Sequence, residues 1–253
     1  MIILGLAGPA GCGKDTVADY LVTRYGYEKF AFSDRLYAEV TAAFDLESED
    51  LLRDRATKDA LTTRMAAENC SDSEFLDLLC SSNLVYSGSE PLSPRQVLQW
   101  WGTEFRRASD PDYWVKKTAE WLAAVPQLFA YPEQVPTHFV NTTVRFPNER
   151  QWIHDMGGNV WHIRRRDAKP VVAHISETPL EIWPGERELH NNDSIERLHY
   201  GIDLLMTTSA RFVAVEPMLK ESDANCITLP NGECVGGKMT GMEPCMHDPK
   251  ELK

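Results

Sequence analysis

The stretch "LGLAGPAGCGKDTVADYL", residues Leu4–Leu21, joins an apolar run to a run of helix-forming residues through a loop with three glycines. Gly8, Gly13 and Lys14 fit the pattern G-x-x-x-x-G-K, which has its physical meaning between a strand and a helix. The apolar run Ile2–Leu6 supplies that strand. The stretch therefore predicts the first strand–loop–helix unit of an α/β fold.

The rest of the chain continues this alternation. Further strands are predicted at 27–34, 137–146 and 159–166. Helices are predicted at 14–25, at 34–44, over most of 45–80, at 94–107, 113–124 and 148–156, and within 193–209. Strands that alternate with helices predict a parallel sheet covered on both faces, whose ligands lie at the carboxyl ends of the strands.

The glycine-rich loop is predicted to bind nucleotide phosphates. Glycines let backbone N–H groups converge on phosphate oxygens, and the amino terminus of the following helix adds positive partial charge. The lysine of the pattern would reach the β- and γ-phosphates of a donor. The residues assigned to this site are Gly8, Ala10, Gly11, Cys12, Gly13 and Lys14. The plainer alternative is a glycine-rich turn that only caps a helix.

Asp15 stands where this pattern has Ser or Thr, and Thr16 follows it directly. We assign the hydroxyl near the β-phosphate and Mg²⁺ to Thr16. Asp15 suits the positive end of the helix dipole, and it is also a candidate to orient magnesium-bound water. Thr16 and Asp15 are therefore the candidate metal residues.

Composition limits the classes of protein that fit. The chain has 253 residues, 43% of them hydrophobic and 25% charged, with a net charge of −12. Such a surface disfavours polymeric nucleic acid as a partner but allows a small phosphorylated substrate in a local basic pocket. No segment is long and apolar enough for a membrane helix or shaped like a signal peptide, so a cytoplasmic location without membrane attachment is expected.

Several blocks of sequence, in order, resemble the phage-type deoxynucleoside monophosphate kinases. They are "GPAGCGKDTVADYL", "FAFSDRLY", "PRQVLQWWGTEFRRASDPDYWV", "VRFPNERQWIHDMGGNVWHIRR", "HISE" and "NNDSIERL". The resemblance covers roughly residues 1–205. The block that begins at Pro94 and the block that begins at Val144 are more specific than the glycine-rich loop. It implies a P-loop kinase that transfers the γ-phosphoryl group of ATP to a deoxynucleoside 5′-monophosphate with Mg²⁺.

The resemblance also implies an organisation of the chain. A three-layer α/β/α kinase domain would span 1–220, with a helical acceptor-binding region at about 45–125 and a lid at about 164–190. The tail 221–253 lies outside the resemblance and is treated as an appendage of unknown role. Related enzymes suggest a homodimer, which the residues themselves leave open.

Under this resemblance, arginines neutralise the phosphates that the loop lysine and Mg²⁺ do not. Arg107 and Arg145 are the main candidates, and a surface salt bridge is the alternative for Arg107. The run Arg164–Arg166 resembles a lid that closes over phosphates, and Arg165 represents it among the candidate catalytic residues.

The acceptor nucleoside and the donor base have candidate residues of their own. Trp100 and Trp101 offer stacking faces, of which one is expected in the core. His174 is a weaker phosphate candidate, and Asn191 resembles the region that borders the donor base. The candidate acceptor-binding residues are Asp34, Arg35, Gln99, Trp100, Thr103, Glu104, Arg107 and Trp114.

Two positions depart from the resemblance. Thr143 occupies the place of an expected acidic residue, and Asp193 the place of a glycine. Two other functions therefore stay open: a kinase that phosphorylates a hydroxymethylated base in phage DNA, and a nucleotide-binding regulator without catalysis.

Overall fold

The computed structural model describes residues 1–54, 56–85, 87–168 and 180–215, with side chains up to residue 208. The chain divides into two units, Met1–Ile202 and Asp203–Lys253, and the second is described only as far as residue 215. Within the described part of the chain, we find no helix that is both long enough and apolar enough to cross a membrane. The tail 221–253 lies outside the described residues, so its expected role as an appendage stays a prediction.

A central sheet of five parallel strands organises the first unit. The strands are β1 (Ile2–Ala7), β2 (Glu28–Phe30), β3 (His138–Val144), β4 (Asn159–Arg164) and β5 (Arg187–His190). Their order across the sheet is β2-β3-β1-β4-β5, and every neighbouring pair is parallel. The predicted α/β class is confirmed, and all five carboxyl ends therefore lie along one edge. β5 is an addition that the sequence patterns did not predict.

Helices connect and cover the strands. They are α1 (Lys14–Tyr25), α2 (Ser33–Ala43), α3 (Asp50–Arg53), α4 (Ser73–Ser81), α5 (Pro94–Gln99), α6 (Tyr113–Ala124), α7 (Pro147–Asp155) and α8 (Ile195–Val215). Local signals set several bounds correctly. Gly26 ends α1 in the left-handed conformation with a φ of 69°. Ser93 begins α5 through a reciprocal capping box with Gln96.

The second strand is shorter than predicted, because its carboxyl end turns directly into α2. The Asp34 carboxylate accepts a hydrogen bond from the Ala31 N–H at 2.7 Å. The Phe32 N–H donates to the Thr143 side chain, at Oγ1 and 3.0 Å, rather than to a backbone carbonyl oxygen of the neighbouring β3. Side chains thus satisfy the backbone groups that strand pairing would otherwise need.

The segment 45–80 is less helical than the sequence predicted. Among its described residues, only α3, two short 3₁₀ turns at Thr63–Met65 and Ala67–Asn69, and α4 are helical. Each piece buries its own apolar side chains in a core shared with α2 and α5: Leu52, Met65, Phe75 and Leu79. Several short elements can converge on one core from different directions, which a single straight helix cannot do.

Glu39 of α2 organises the helical region. Its carboxylate accepts hydrogen bonds from Trp101 Nε1 and Arg106 Nε, each at 3.0 Å, and from the Tyr113 hydroxyl. Burial, and then the hydrogen bond to this carboxylate, raise the pKa of Tyr113 to about 12. The donors come from α6 and from Trp100–Arg107, a π-helical segment that continues α5.

The sequence predicted that one of the two tryptophans lies in the core, and that residue is Trp101. Its side chain is 1% exposed and packs 4.6 Å from the Phe75 ring, measured between centroids. We expect Trp101→Ala to lower the free energy of unfolding by about 3–5 kcal/mol, because it leaves a cavity and removes a hydrogen bond to Glu39. Denaturant unfolding measures this loss.

Trp100→Ala is the matched control, since Trp100 is only half-buried against the same core. It should cost clearly less than Trp101→Ala. Equal losses for the two variants would contradict this assignment of the core.

Candidate active site

The loop between β1 and α1 binds the amino group of Lys14, the lysine of its own motif. Lys14 Nζ donates to the carbonyl oxygens of Gly8 at 2.7 Å and Pro9 at 3.0 Å. It also lies 3.9 Å from the Sγ atom of Cys12, which is fully buried. The lysine, the loop and the amino terminus of α1 thus form one compact, positively polarised turn.

Two glycines of the loop are required by close backbone approaches. Gly8 has a φ of 144°, and a Cβ there would lie 2.5 Å from the Ile163 carbonyl oxygen of β4. Gly13 has a φ of 104°, and a Cβ there would lie 2.2 Å from Asn191 Nδ2. Any other residue would therefore clash and also adopt a strained conformation. The glycine pattern follows from packing against the ends of β4 and β5.

The first turn of α1 presents oxygen atoms to solvent beside this loop. Asp15 and Thr16 are both exposed. Carboxylate and hydroxyl oxygens are hard ligands of the kind that Mg²⁺ takes. The donor set at this turn therefore fits the predicted metal, directly or through water.

A cavity opens beside the carboxyl end of β3, between the sheet and the helical region. Its lining comes from α2, α5, the π-helical segment, α6 and the start of α7. The lining residues are Phe32, Ser33, Leu36, Tyr37, Lys58, Arg95, Leu98, Gln99, Gly102, Thr103, Arg107, Trp114, Thr143, Arg145, Phe146 and Glu149. We call it the β3 cavity.

The β3 cavity brings together five of the predicted site residues: Gln99, Thr103, Arg107, Trp114 and Arg145. Four of them come from helices and one from the residue after β3. The π-helical segment widens the helix locally, a feature that is frequent at functional sites. Trp114 Nε1 donates to the Gly102 carbonyl oxygen at 3.0 Å, which fixes the indole as part of the wall.

Arg107 forms a buried ion pair at one side of the cavity. Its guanidinium donates to Glu149 Oε1 and lies 3.8 Å from the centroid of the Phe146 ring. The Arg107 side chain is 10% exposed, so it is not the surface salt bridge considered from the sequence. Burial raises the pKa of Glu149, and the Arg107 charge opposes that rise.

Glu149 also fixes the backbone after β3. Its Oε2 atom accepts from the Arg145 N–H at 2.8 Å and from the Phe146 N–H at 3.1 Å. One carboxylate therefore sets the positions of both cavity arginines, Arg107 through its side chain and Arg145 through its backbone. The sequence analysis quoted this glutamate within a block and gave it no role.

Three residues predicted to bind the acceptor make contacts outside the β3 cavity. Asp34 pairs with Arg53 Nη2 at 2.8 Å. Arg35 lies with its guanidinium carbon 5.2 Å from the centroid of the Trp121 ring. Trp100 packs on the helical core. None of these three, nor Glu104, belongs to the described lining of the β3 cavity. Their assignment to the acceptor stays a prediction.

Three cavity residues were missed by sequence reasoning: Tyr37, Lys58 and Arg95. Lys58 Nζ donates to the Tyr37 hydroxyl at 2.8 Å. The Lys58 carbonyl oxygen accepts from the Arg95 N–H at 2.9 Å, which joins two segments distant in sequence. Tyr37 and Arg95 stand within blocks quoted for the resemblance but were given no role there, and Lys58 lies outside every quoted block. The spacing Ser33–Tyr37 on one face of α2 was the one available signal.

Thr143 has a structural role at the position where an acidic residue was expected. Its Oγ1 atom accepts from the Phe32 N–H, and its own N–H donates to Asn141 Oδ1 at 2.8 Å. The hydroxyl thereby ties the end of β3 to the end of β2 without adding charge to the cavity.

The predicted lid begins within the described residues. Arg164 Nε donates to Glu188 Oε2 at 2.9 Å, whereas the side chains of Arg165 and Arg166 are exposed. His174 and the rest of 169–179, in the middle of the predicted lid, lie outside the described residues. Asn191, at the end of β5, donates through Nδ2 to the Cys12 carbonyl oxygen at 2.9 Å.

The parallel sheet, the lysine-containing loop and the arginine-lined cavity along one edge provide the groups that phosphate recognition needs. A family model described as deoxynucleotide monophosphate kinase matches residues 51–202 of this chain. That match covers more than half of the chain, so the chain belongs to this family. It is a kinase, and its substrates are small nucleotides.

Two individual proteins are also similar to the chain. A protein of Acanthamoeba polyphaga mimivirus named "Putative deoxynucleotide monophosphate kinase" is 24% identical over 208 residues, which cover 79% of this chain and 93% of that protein. The unliganded crystal structure of a sugar kinase from Janibacter sp. HTCC2649 aligns with a TM-score of 0.39 at 15% identity, over 82% of this chain and 93% of that one.

The buried pair of Arg107 and Glu149 yields a stability prediction. We expect Arg107→Ala to lower the free energy of unfolding by about 3–5 kcal/mol, because it leaves a buried carboxylate without its cation. Urea unfolding at pH 7 measures this loss.

The double variant Arg107→Met with Glu149→Gln removes both charges and retains an acceptor for the two backbone N–H groups. It should be clearly more stable than Arg107→Ala. If both variants lost the same stability, the ion pair would not be the cause.

Proposed function

We propose that this kinase transfers the γ-phosphoryl group of ATP to a deoxynucleoside 5′-monophosphate, with Mg²⁺ bound to the donor. The loop 8–14 would hold the donor, and the β3 cavity would hold the acceptor. One observation carries the proposal. Because β1 and β3 are parallel neighbours, the loop after β1 and the arginine after β3 lie along the same edge of the sheet.

On the donor side, the backbone N–H groups of the loop and the amino terminus of α1 would bind phosphate oxygens. This role covers Gly8, Ala10, Gly11, Cys12 and Gly13. Lys14 would exchange its contacts with the Gly8 and Pro9 carbonyls for the β- and γ-phosphates. Thr16 and Asp15 would hold Mg²⁺ or its water, and the ion would supply charge neutralisation on the phosphates.

On the acceptor side, Arg107 and Arg145 would bind the monophosphate, because both line the cavity near the sheet edge. The nucleoside would then extend between α2 and the π-helical segment. Gln99 and Thr103 offer hydrogen-bonding groups there, and Trp114 offers an apolar wall.

Phosphoryl transfer needs two anionic substrates held in line, with their charge neutralised. Lys14 and the two cavity arginines supply three of the required cations. Arg165 is proposed as a fourth, because its side chain is exposed while that of Arg164 is paired with Glu188. A segment that closes over the phosphates would also exclude water.

The proposal includes the domain organisation that the resemblance implies. A kinase domain would span 1–220, with an acceptor-binding region at about 45–125 and a lid at about 164–190. A role in supplying precursors for phage DNA follows from the resemblance to phage-type enzymes. The expected homodimer and the expected cytoplasmic location stay predictions.

An ADP-release screen over deoxy- and ribonucleoside monophosphates tests the proposal. The unmodified protein should turn over at least one deoxynucleoside monophosphate. Lys14→Ala should lower kcat by about 10²–10³, because one preorganised cation at the moving phosphoryl group is lost.

Lys29→Ala is the matched control. Lys29 is an exposed lysine paired with Asp19 at 2.6 Å, and its removal should leave kcat unchanged. Near-normal turnover in Lys14→Ala would exclude the loop as the donor site. If labelled ATP transferred its label only into DNA, the result would instead favour a kinase of modified bases.

Arg145 gives a separate test of the acceptor side. Arg145→Ala should lower kcat/KM for the deoxynucleoside monophosphate by about 10- to 100-fold, because a charge-assisted hydrogen bond to phosphate is lost. The KM for ATP should stay within about twofold. The backbone bond from Arg145 to Glu149 survives the change, so the fold should be retained.

Arg24→Ala, at the exposed end of α1, is the control for loss of one arginine charge. An Arg145→Ala enzyme with unchanged kinetics toward the acceptor would remove Arg145 from the site.

A further inference from the structure

The two asparagines that follow β5 hold the loop 8–14 and the start of the predicted lid at the same time. Asn191 donates through Nδ2 to the Cys12 carbonyl oxygen at 2.9 Å and through its N–H to the Arg164 carbonyl oxygen at 2.8 Å. Asn192 Oδ1 accepts from the Arg166 N–H at 2.8 Å. Three hydrogen bonds therefore join one dipeptide to two segments that are distant in sequence.

The contact of Asn191 with the loop is built into the packing of the sheet. β4 lies between β1 and β5, so the Asn191 side chain reaches across the end of β4 to the loop after β1. Its amide nitrogen occupies the space that a Cβ on Gly13 would need, at 2.2 Å. The glycine and the asparagine are thus complementary: only a residue without a side chain leaves room for this amide.

The hydrogen bond from Asn191 fixes one peptide plane of the loop. In a trans peptide the N–H points opposite to the carbonyl. With the Cys12 carbonyl directed at Asn191, the Gly13 N–H points in the opposite direction, away from Asn191. Under the proposed function this N–H is one of the donors that the loop offers to the triphosphate.

The same dipeptide anchors the backbone that carries the exposed arginines. Arg164 is held twice, by its carbonyl oxygen to Asn191 and by its side chain to Glu188. The Arg166 N–H is held by Asn192. Arg165 lies between these two anchors, and its side chain is exposed.

We infer that Asn191 and Asn192 are positioning residues, which hold the donor loop and the lid arginines in a fixed mutual arrangement. Asn191 sets the orientation of the Cys12–Gly13 peptide, and Asn192 sets the backbone that carries Arg165 and Arg166. This inference rests on the proposed function, since it takes the loop as the donor site. Asn191 then acts on ATP through the loop, whereas the resemblance gave it a place beside the donor base.

Steady-state kinetics of the full chain test this inference, with ATP and the monophosphate varied separately. Asn191→Ala removes the amide donor and should raise the KM for ATP about tenfold. The KM for the monophosphate should stay within about twofold. Asn191→Asp has the same size but cannot donate, and it should raise the KM for ATP at least as much. Asn192→Ala should instead lower kcat more than it raises the KM for ATP.

Asn159→Ala is the matched control. Asn159 Nδ2 also donates to a carbonyl oxygen, that of Gly185 at 3.1 Å, but at the amino-terminal end of β4, away from the loop. This variant should lose thermal stability to a similar extent and keep both KM values. A merely structural role for Asn191 predicts the same pattern as this control.

An unchanged KM for ATP in both folded Asn191 variants would overturn the inference. If Asn191→Ala fails to fold, the isosteric Asn191→Asp variant decides. The Lys14→Ala enzyme distinguishes a failure of the proposed function from a failure of the positioning role. Normal turnover in Lys14→Ala would remove the proposed function itself. Loss of turnover there, together with unchanged Asn191 variants, would remove only the positioning role.

Discussion

The close approach of the loop 8–14 to the ends of β4 and β5 is the constraint on which the rest of the site depends. Gly8 rests against the Ile163 carbonyl oxygen, and Gly13 rests against the Asn191 amide. Neither approach leaves space for a Cβ atom. The loop is therefore shaped by contacts with the β4 backbone and the Asn191 side chain, and its N–H groups are oriented before any ligand arrives. A preorganised donor set avoids a reorganisation cost when the phosphates bind.

The β3 cavity is organised by the buried carboxylate of Glu149. It binds the Arg107 side chain and the backbone N–H groups of Arg145 and Phe146. A buried carboxylate is costly unless cations and N–H donors satisfy it. These donors come from the π-helical segment and from the residues after β3. The hydrogen bonds that stabilise the buried Glu149 carboxylate therefore also fix the positions of Arg107 and Arg145, the two arginines that would bind the acceptor phosphate.

Sequence alone predicted the parts of the fold and site that depend on local chemistry. Gly26 and the Ser93 capping box fix helix bounds through contacts within four residues, and the glycine-rich loop is a contiguous motif. The residues that were missed depend on packing between distant segments. Lys58 reaches the cavity because its carbonyl oxygen pairs with the Arg95 N–H. β5 has four residues and one buried side chain, too few for an alternating pattern to show.

The charge distribution explains how an acidic chain can serve anionic substrates. The whole chain carries a net charge of −12, yet the β3 cavity is lined by Lys58, Arg95, Arg107 and Arg145 against one carboxylate, Glu149. An acidic side chain at position 143 would add a second negative charge beside the proposed site for the monophosphate. Thr143 accepts the Phe32 N–H, as a carboxylate could, but remains neutral. The departure from the expected sequence therefore keeps the structural bond and preserves the positive potential of the cavity. Oxygen ligands for a metal can then come from the first turn of α1, on the donor side.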